Sequence, residues 1–355
     1  MAPGIVPPFL LTRIARATGE RLSVAPEAAA QTLRHDRPMR SARISLSIDE
    51  NRTIVAEVSD APNRTIGDAR NTETLPGRTA RSEGEDPVAD ATVNEAYDGL
   101  GATFDLYSQV YGRNSIDGKG LPLDATVHYG SDYDNAFWNG ERMVFGDGDG
   151  EVFGRFTASV SVIGHELTHG VTQYTAALNY ANQAGALNES ISDVFGALVE
   201  QHSAQQTASA ASWLIGEGLF TPSVRGVALR SMKAPGTAYD DPVLGTDPQP
   251  ATMAGYVTTR EDNGGVHINS GIPNRAFYLL ATTLGGRAWE RAGQIWYDTL
   301  LGKGGKLPAA ATFARFARAT VSAAGARYGG SSPEADAVRS AWTEVGVTID
   351  GGTTR

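Results

Sequence analysis

The spacing of apolar residues changes partway along the chain. In residues 44–156 apolar and polar residues alternate in short runs, such as 44–48 and 143–145, which predicts strands, with one helix near residues 90–111. From residue 158 onward apolar residues recur every three or four positions, which predicts helices. Clear helical periods cover residues 275–284, 287–300, 312–328 and 334–345. A strand-rich part followed by a helical part predicts an α+β protein with two lobes.

The first 43 residues differ in charge from the rest of the chain. They contain seven arginines and three acidic residues, whereas the whole chain has a net charge of −10. Residues 7–11 begin a short amphipathic pattern, and residues 26–34 predict a helix with proline at its start. Residues 35–43 predict an exposed basic linker. From the residues alone, a plain extension of the chain, disordered or packed, fits this pattern as well as a segment with a function of its own.

Composition excludes several classes of protein. The 355 residues include no cysteine, which excludes disulfides and thiolate metal ligands. The acidic balance argues against nucleic acid as a partner. No apolar run reaches the 18 residues of a transmembrane helix, and no apolar stretch of a secretory signal follows a basic start. We therefore expect no membrane span and see no signal peptide.

The strongest chemical signal is the run His165-Glu166-Leu167-Thr168-His169. Residues four apart share one face of a helix, so both imidazoles can reach one ion, and the glutamate between them can act on water at that ion. This pattern is typical of zinc peptidases. A buried helix with three such polar groups needs partners for them, which a metal would supply. The apolar stripe that predicts burial consists of Val162, Ile163, Leu167 and Val171.

A catalytic zinc ion takes three protein ligands, so one more is needed. The longer motif with a third histidine is excluded, because Thr172 and Thr175 stand at its glycine and histidine positions. The next helical pattern offers Glu189 and Asp193, four residues apart on one face. Alone, two such carboxylates would be typical of a solvated surface. Beside the histidine helix, we expect Glu189 to bind zinc and Asp193 to accept the free N–H of a zinc-bound histidine.

Several blocks in the same order resemble the thermolysin-like neutral metalloproteinases. The resemblance runs from about Arg64 to the C-terminus. Besides the zinc motif, its blocks are residues 135–140, 146–150, 185–193, 228–232 and 262–271. It implies a zinc endopeptidase with one catalytic Zn²⁺ and a two-lobed fold. The strand-rich lobe would be residues 51–157 and the mostly helical lobe residues 158–355, with the zinc helix at their junction.

The residues and the resemblance imply the same reaction. Zinc on His165, His169 and Glu189 would acidify water and polarise the scissile carbonyl. Glu166 would take the proton of that water and deliver it to the leaving amine. The expected activity is therefore hydrolysis of peptide bonds.

The resemblance also implies how the oxyanion and the substrate are held. His267 and Tyr180 would stabilise the oxyanion, with Asp262 orienting His267, and residues 262–271 would form the glycine-rich loop that presents the histidine. The peptide backbone would pair with Asn135 and Ala136 like an added strand. A substrate carbonyl would be held by Arg230, assisted by Asn135.

Five apolar residues align with the wall of the pocket that follows the scissile bond. They are Phe153, Val162, Ile215, Leu219 and Leu229. Without the alignment each of them would be an ordinary core residue. Because all five are apolar, we expect the enzyme to cut just before Leu, Phe or similar residues.

The sequence departs from the family at its calcium sites. Glu200 and Glu217 stand where two calcium ligands are expected, but the partner positions are not acidic. Those positions hold Ser161, Ser212 and Leu214, and a neighbouring loop site has Val227 in place of an acid. Because hard cations need oxygen-rich shells, we expect no tight structural calcium. Residues 146–150 lack the spacing and terminal glutamate of an EF-hand and predict a turn.

The N-terminal segment resembles the short propeptide of protealysin-like members, which carries a Pro-Pro-x-Leu element. Residues 1–50 would then be a propeptide that acts on its own chain, with basic charge that complements an acidic catalytic body. The resemblance further implies protein or peptide substrates, a monomer and a secreted enzyme. Because no signal peptide is visible, a cytoplasmic stage before non-standard export is the alternative.

Two rival functions fit a zinc site as well. One is an inactive zinc-binding relative that serves as a binding protein, and loss of Glu166 or His267 would be its signature. The other is a zinc hydrolase with a substrate other than a peptide, which the apolar pocket, Asn135 and Arg230 disfavour. Both acid–base residues are present in the chain.

Overall fold

The computed structural model describes residues 4–18, 22–41 and 61–349. The chain divides into two compact units, Met1–Ala158 and Ser159–Arg355. The strand predicted at residues 44–48 and the propeptide boundary predicted near residue 50 lie outside the described residues. Within the described ranges, no helix is both long enough and apolar enough to cross a membrane.

Among its described residues, the first unit is built on a five-stranded mixed sheet. Its strands are β1 (Arg64–Asp68), β2 (Arg78–Ser82), β3 (Leu123–Val127), β4 (Ala136–Trp138) and β5 (Met143–Phe145), in the order β2-β1-β3-β5-β4. The β1–β3 and β3–β5 pairs are parallel and the two outer pairs are antiparallel. The predicted strand at residues 143–145 is confirmed as β5, and β4 lies at the edge of the sheet.

Helix α3 (Ala91–Asp105) continues through a π-helical turn, Leu106–Val110, and confirms the helix predicted near residues 90–111. The Asp90 side chain caps its start by accepting the backbone N–H of Thr92 at 2.9 Å. The same carboxylate lies 2.8 Å from His128 Nε2, and His128 Nδ1 lies 2.7 Å from Asp147. The bond to Asp147, opposed by burial and aided by Asp90, raises the pKa of His128 to about 9. A histidine cation therefore ties α3 to residues 146–150, which have no regular secondary structure.

Two helices precede the sheet, α1 (Pro8–Ala15) and α2 (Ala25–Ser41), and they pack against each other. Leu10, Leu11 and Ile14 are the buried residues of α1. The prediction of an exposed linker at residues 35–43 is wrong for residues 35–41, because α2 continues through them. Asp36 lies in this part of the helix and is buried. It accepts hydrogen bonds from Tyr133 at 2.5 Å and from Asn135 at 3.0 Å. The partners of Asp36 lie about 100 residues away, so no local pattern reveals them.

The second unit is mostly helical. Its helices are α4 (Val160–Gln173), α5 (Asn182–Ser203), α6 (Asp262–Asn269), α7 (Gly271–Leu284), α8 (Ala292–Leu300), α9 (Phe313–Tyr328) and α10 (Pro333–Glu344). Two short antiparallel pairs join them, β6 (Leu214–Ile215) with β7 (Arg230–Ser231) and β8 (Asp240–Asp241) with β9 (Gly245–Thr246).

Four predicted helices are confirmed with shifted ends. α7 begins four residues earlier than the apolar period indicates, and α8 begins five residues later. α9 starts where predicted because Thr312 caps it, accepting the N–H of Arg315 at 3.2 Å. The helices enclose an aromatic core in which Trp296 stacks on Trp342 with centroids 6.0 Å apart. This core supports α5 and α7, which carry polar side chains inward.

Candidate metal centre

His165 and His169 lie one turn apart on α4, and both are buried. Their ring centroids are 4.7 Å apart and their Nε2 atoms 3.1 Å apart. Helical spacing alone predicts this arrangement. Both Nε2 atoms can therefore bind the same ion, and Glu166, also fully buried, follows the first histidine on the same helix.

Glu189 on α5 completes a group that can hold a metal. One ligand atom from each of His165, His169 and Glu189 lies within 4.8 Å of the others. Glu189 Oε2 is 3.5 Å from His165 Nε2, and Oε1 is 3.5 Å from His169 Nε2. Glu189 Oε2 is buried and accepts no hydrogen bond from the described residues. Two imidazoles and a carboxylate form the donor set of a catalytic zinc site, so these residues fit the ion.

Two glycines let α4 and α5 approach closely. A Cβ on Gly196 would lie 2.4 Å from the carbonyl oxygen of Ser161 and 3.0 Å from the backbone nitrogen of His165. A Cβ on Gly164 would lie 3.1 Å from the Cα of Gly196. Because the obstacles are mostly backbone, any side chain at residue 196 would push the helices apart. The distance between Glu189 and the histidines depends on this crossing.

Hydrogen bonds at the far ring nitrogens set the tautomers of the two histidines. His165 Nδ1 lies 2.8 Å from Asp193 Oδ1, as expected from the sequence. His169 Nδ1 lies 2.8 Å from Asn188 Oδ1 and 3.1 Å from Ser192 Oγ. An Nδ1–H donated to these oxygens leaves the Nε2 lone pair for a metal. Asn188 was missed by the sequence reasoning, although Asn188 and Ser192 repeat the i,i+4 spacing of Glu189 and Asp193 one position earlier.

Burial and neighbouring charges set the protonation states. Burial lowers the pKa of His169 to about 4, so this ring is neutral at pH 7 and can bind a metal. Burial opposes ionisation of Glu189, but His267 and the other basic neighbours outweigh it and lower its pKa. Burial, then Glu189, raises the pKa of Tyr180 well above its usual value, which keeps the phenol protonated. Burial opposes protonation of His267, yet Asp262 and Glu189 raise its pKa.

Tyr180, His267 and Asp262 surround Glu189. The Tyr180 hydroxyl donates to Glu189 Oε1 and lies 3.1 Å from His267 Nε2. His267 Nε2 is 3.5 Å from Glu189 Oε2. Asp262 holds the histidine twice, with Oδ1 2.6 Å from the ring Nδ1 and Oδ2 accepting the backbone N–H at 2.8 Å. The structure thus brings together the three residues to which the resemblance gives oxyanion roles, and the roles themselves stay predictions.

The segment that carries His267 is not the simple loop predicted for residues 262–271. Asp262, Asn263, Gly264 and Gly265 all have positive φ, from 50° to 89°, and right-handed helix follows. Non-glycine residues rarely adopt this conformation. A Cβ on Gly264 would lie 2.3 Å from Asn182 Oδ1, so this position requires glycine. The left-handed turn points the Asp262 carboxylate along the following helical turn to His267.

Arg230 and most of the predicted pocket lie in the second unit. Arg230, on β7, donates to both oxygens of Asp193 at 2.8 Å and is 2% exposed. Ile215 pairs with it across β6 and β7. Leu219 and Leu229 surround Gly216, where a Cβ would lie 2.9 Å and 3.1 Å from them. Val162 is buried on α4. Contact of Arg230 with a substrate stays a prediction.

Asn135, Ala136 and Phe153 belong to the first unit, where residues of the N-terminal segment contact two of them. Asn135 Oδ1 accepts the N–H of Val6, and Ala136 O accepts the N–H of Ile5, at 3.0 and 3.1 Å. Phe153 is buried with its centroid 5.6 Å from that of Phe156. The positions predicted to pair with a substrate backbone are thus paired with the chain's own residues.

The residues aligned with calcium ligands form a different environment. Burial, aided by Glu217, raises the pKa of Glu200, while a hydrogen bond from Ser161 opposes this. Ser161 Oγ also accepts the N–H of Gly216 at 3.2 Å. Glu200, Ser212 and Leu214 line one small recess, and Val227 is 57% exposed. The absence of tight calcium stays a prediction.

We expect Gly196→Ala to destabilise the second unit and weaken zinc binding. The added methyl group collides with the Ser161 carbonyl, and overpacking of this kind costs about 1–3 kcal/mol. Urea unfolding of the metal-free protein and chelator competition for zinc measure the two effects. Gly330→Ala is the matched control, since its Cβ would meet nothing within 4 Å. Equal stability and zinc affinity in both variants would show that the crossing does not need glycine.

Comparisons with known proteins agree with this geometry. Residues 43–173 match the family model of the thermolysin metallopeptidase catalytic domain, and residues 176–347 that of its alpha-helical domain. An extracellular metalloprotease of Pectobacterium carotovorum subsp. carotovorum is 50% identical over 97% of this chain and 96% of that protein. Protease PrtS of Photorhabdus sp. (strain Az29) is 48% identical over 98% of this chain and 92% of that protein.

A solved structure extends the similarity to the N-terminal segment. It is the precursor of protealysin, a metalloproteinase from Serratia proteamaculans, with 52% identity and a TM-score of 0.88 over 98% of this chain and 100% of that chain. The predicted α+β, thermolysin-like fold is thereby confirmed. With both domain models matched and relatives similar along nearly its whole length, the chain belongs to the thermolysin metallopeptidase family.

Proposed function

We propose that this protein is a zinc-dependent endopeptidase made as a precursor. The observation that carries the proposal is the buried group of His165, His169 and Glu189, whose ligand atoms lie within 4.8 Å of one another. Glu166 adjoins His165 on the same helix, and His267 and Tyr180 lie on the other side of Glu189. Membership of a metallopeptidase family supports the reaction class.

The surrounding residues divide the acid–base work. A bound zinc ion supplies Lewis acidity, which acidifies water and polarises a peptide carbonyl. Glu166 accepts the proton of the attacking water and returns it to the leaving amine. Tyr180 keeps its proton; burial opposes protonation of His267, but Asp262 and Glu189 raise its pKa, which favours donation by both residues to the developing oxyanion.

Glu166→Ala should lower peptidase activity by about 10²–10⁴-fold, because it removes the general base and leaves the ligands in place. The variant should still hold one zinc per chain, and metal analysis should find no stoichiometric calcium. Casein and peptide cleavage, with and without a zinc chelator, measure the activity. Glu344→Ala, at an exposed glutamate of α10, is the control and should match the wild type.

Activity that survives Glu166→Ala or chelation would overturn the assignment. A wild-type protein that binds zinc and cleaves nothing would favour the alternative, an inactive relative that acts as a binding protein. Stoichiometric calcium would contradict only the calcium part of the proposal.

We further propose that the enzyme cuts just before bulky apolar residues. Val162, Ile215, Leu219 and Leu229 are apolar and lie in one unit, three of them around Gly216. Phe153 is the fifth wall residue implied by the resemblance. An apolar wall favours an apolar substrate side chain because it removes that side chain from water.

Leu229→Ala should shift the preference from Leu towards Phe by about tenfold in the ratio of kcat/KM, since a cavity of a few methylenes changes discrimination by that order. A peptide library digest measures the ratio. Leu244→Ala, at another buried leucine of the second unit, controls for general loss of stability and should leave the ratio unchanged. A wild-type preference for charged residues would contradict the proposal.

The precursor part of the proposal rests on what the N-terminal segment covers. Gly4 forms an antiparallel bridge with Phe137 at the free edge of β4. The N–H of Val6 donates to Asn135 Oδ1, and Asn135 Nδ2 donates to Asp36 at 3.0 Å. A Cβ on Gly4 would lie 2.5 Å from Asn135 Nδ2, so the backbone passes very close to this side chain. A peptide substrate that needs Asn135 and the same edge must displace these residues.

Glu151 holds the start of α2. Its carboxylate accepts the backbone N–H groups of Ser23, Val24 and Ala25, each at 2.9 Å, and the Ser23 hydroxyl at 2.5 Å. The first N–H groups of a helix have no partner within it and carry a partial positive charge. The bond from Ala25, then that of Ser23, lowers the pKa of Glu151 to about 2. The negative charge of Glu151 thus lies at the positively polarised start of α2.

Glu151→Gln should loosen the N-terminal segment, because the amide loses the negative charge and half of the acceptor capacity. In the Glu166→Ala background, which prevents self-cleavage, backbone amides of residues 23–36 should exchange at least about tenfold faster. Glu141→Gln, at an exposed glutamate between β4 and β5, is the control. Unchanged exchange in the Glu151 variant would remove this contact from the proposal. An intact N-terminus on fully active wild-type enzyme would remove the precursor itself.

We propose that the mature enzyme acts outside the cell on protein or peptide substrates, as a monomer. The support is the description of one relative as an extracellular metalloprotease. N-terminal sequencing of the enzyme recovered from the medium tests the cleavage point near residue 50 and the route of export.

A further inference from the structure

Asp193 is a buried carboxylate surrounded by three donor side chains. Its Oδ1 accepts from His165 Nδ1 and from Arg230 Nη2, both at 2.8 Å. Its Oδ2 accepts from Arg230 Nε and from Asn274 Nδ2, also both at 2.8 Å. All four side chains are at most 3% exposed. His165 and Arg230 have predicted roles, whereas Asn274 has none.

Asn274 is an exception on an otherwise apolar helix face. It lies in the first turn of α7, and its backbone N–H bonds to Ser270 O at 3.0 Å. The other buried residues of α7 are Gly271, Ile272, Pro273, Ala276, Phe277, Leu280 and Ala281. Asparagine is a poor helix former, and its Oδ1 is buried without a hydrogen bond from the described residues. These two costs would vanish with leucine or alanine, so the amide donor must supply a compensating gain.

The donor completes the orientation of the Asp193 carboxylate. Arg230 spans both oxygens with its planar fork, which fixes the plane of the group along one edge. Asn274 adds a bond to Oδ2 alone, while His165 bonds to Oδ1 alone. A turn of the carboxylate away from this plane therefore weakens the bonds of both His165 and Asn274. A fixed Oδ1 keeps the proton of His165 on Nδ1 and directs its Nε2 lone pair outward.

Asn274 also joins the two sides of the centre. α7 follows directly on α6, which carries His267, and the two helices meet at Ser270. Gln249 Nε2 donates to His267 O at 2.8 Å and to Ser270 Oγ at 3.0 Å, which pins this junction. The same helical segment thus holds His267 and, through Asn274, the carboxylate behind His165.

We propose that Asn274 is a positioning residue for the metal centre, which sets the orientation of Asp193 and through it the ligand geometry of His165. This inference rests on the zinc site proposed above. The simpler alternative is that the Asn274–Asp193 bond only anchors α7 to α5. The two differ in one respect, because an anchor affects the stability of the metal-free protein whereas a positioning residue also affects zinc affinity.

The test is zinc affinity of the full chain by chelator competition. Asn274→Asp keeps the shape of the side chain but places an acceptor against Asp193 Oδ2, and zinc should bind about 10–100-fold more weakly. Asn274→Ala removes the hydrogen bond to Asp193 without placing a repulsive group there. The loss of zinc affinity should therefore be smaller, about tenfold. In the alanine variant kcat should fall while KM stays within about twofold, since Arg230, the predicted substrate contact, keeps its bonds to both oxygens of Asp193.

Asn269→Asp is the matched control. Asn269 is also fully buried, and its Nδ2 donates to Val257 O at 2.9 Å, away from Asp193. Thermal unfolding of the metal-free proteins should show comparable destabilisation in the two aspartate variants, with the zinc affinity lowered only at residue 274. Should Asn274→Asp fail to fold, the alanine variant carries the test.

Wild-type zinc affinity in both Asn274 variants would overturn the inference, and so would an equal loss in the Asn269 control. Failure of the wild-type chain itself to bind zinc would instead overturn the proposed function. The two failures are therefore distinguishable.

Discussion

The second unit depends on one constraint, which is that ionisable groups in a dry interior must be paired. α4 and α5 are buried along most of their length, and two histidines and three carboxylates are among their buried residues. An isolated charge in such surroundings would cost many kcal/mol. The crossing at Gly164 and Gly196 brings the polar groups of α4 and those of α5 close to each other. Asp193 of α5 also accepts hydrogen bonds from Arg230 and Asn274.

Around this centre, part of the backbone is held in a conformation that it would not adopt alone. Asp262 and Asn263 have positive φ, and such strain persists only where the surroundings determine it. Here the Asp262 carboxylate holds the His267 backbone and ring together, and the absent side chain of Gly264 leaves room for Asn182. The strained segment places His267 Nε2 3.5 Å from Glu189 Oε2.

The first unit has a different requirement, since β4 presents an unpaired edge. Exposed edges bind other strands, which is useful for gripping a peptide and hazardous otherwise. In this chain residues 4–6 pair with the edge, and Glu151 caps the start of α2. One contact bridges to the edge strand, while the other holds the start of α2.

The sequence by itself determined what depends on local spacing. The histidines of α4, the pair Glu189 and Asp193, the strand at residues 143–145 and the helices after residue 270 follow from the period of a helix or a strand. Only the tertiary structure decided which distant groups meet them. Arg230 lies 37 residues from Asp193 and Asn274 lies 81, and Glu151 lies 126 from the helix start that it caps. No local pattern encodes such pairs, because they arise when packing brings helix ends and buried side chains together, and for the same reason α2 continued beyond its predicted end.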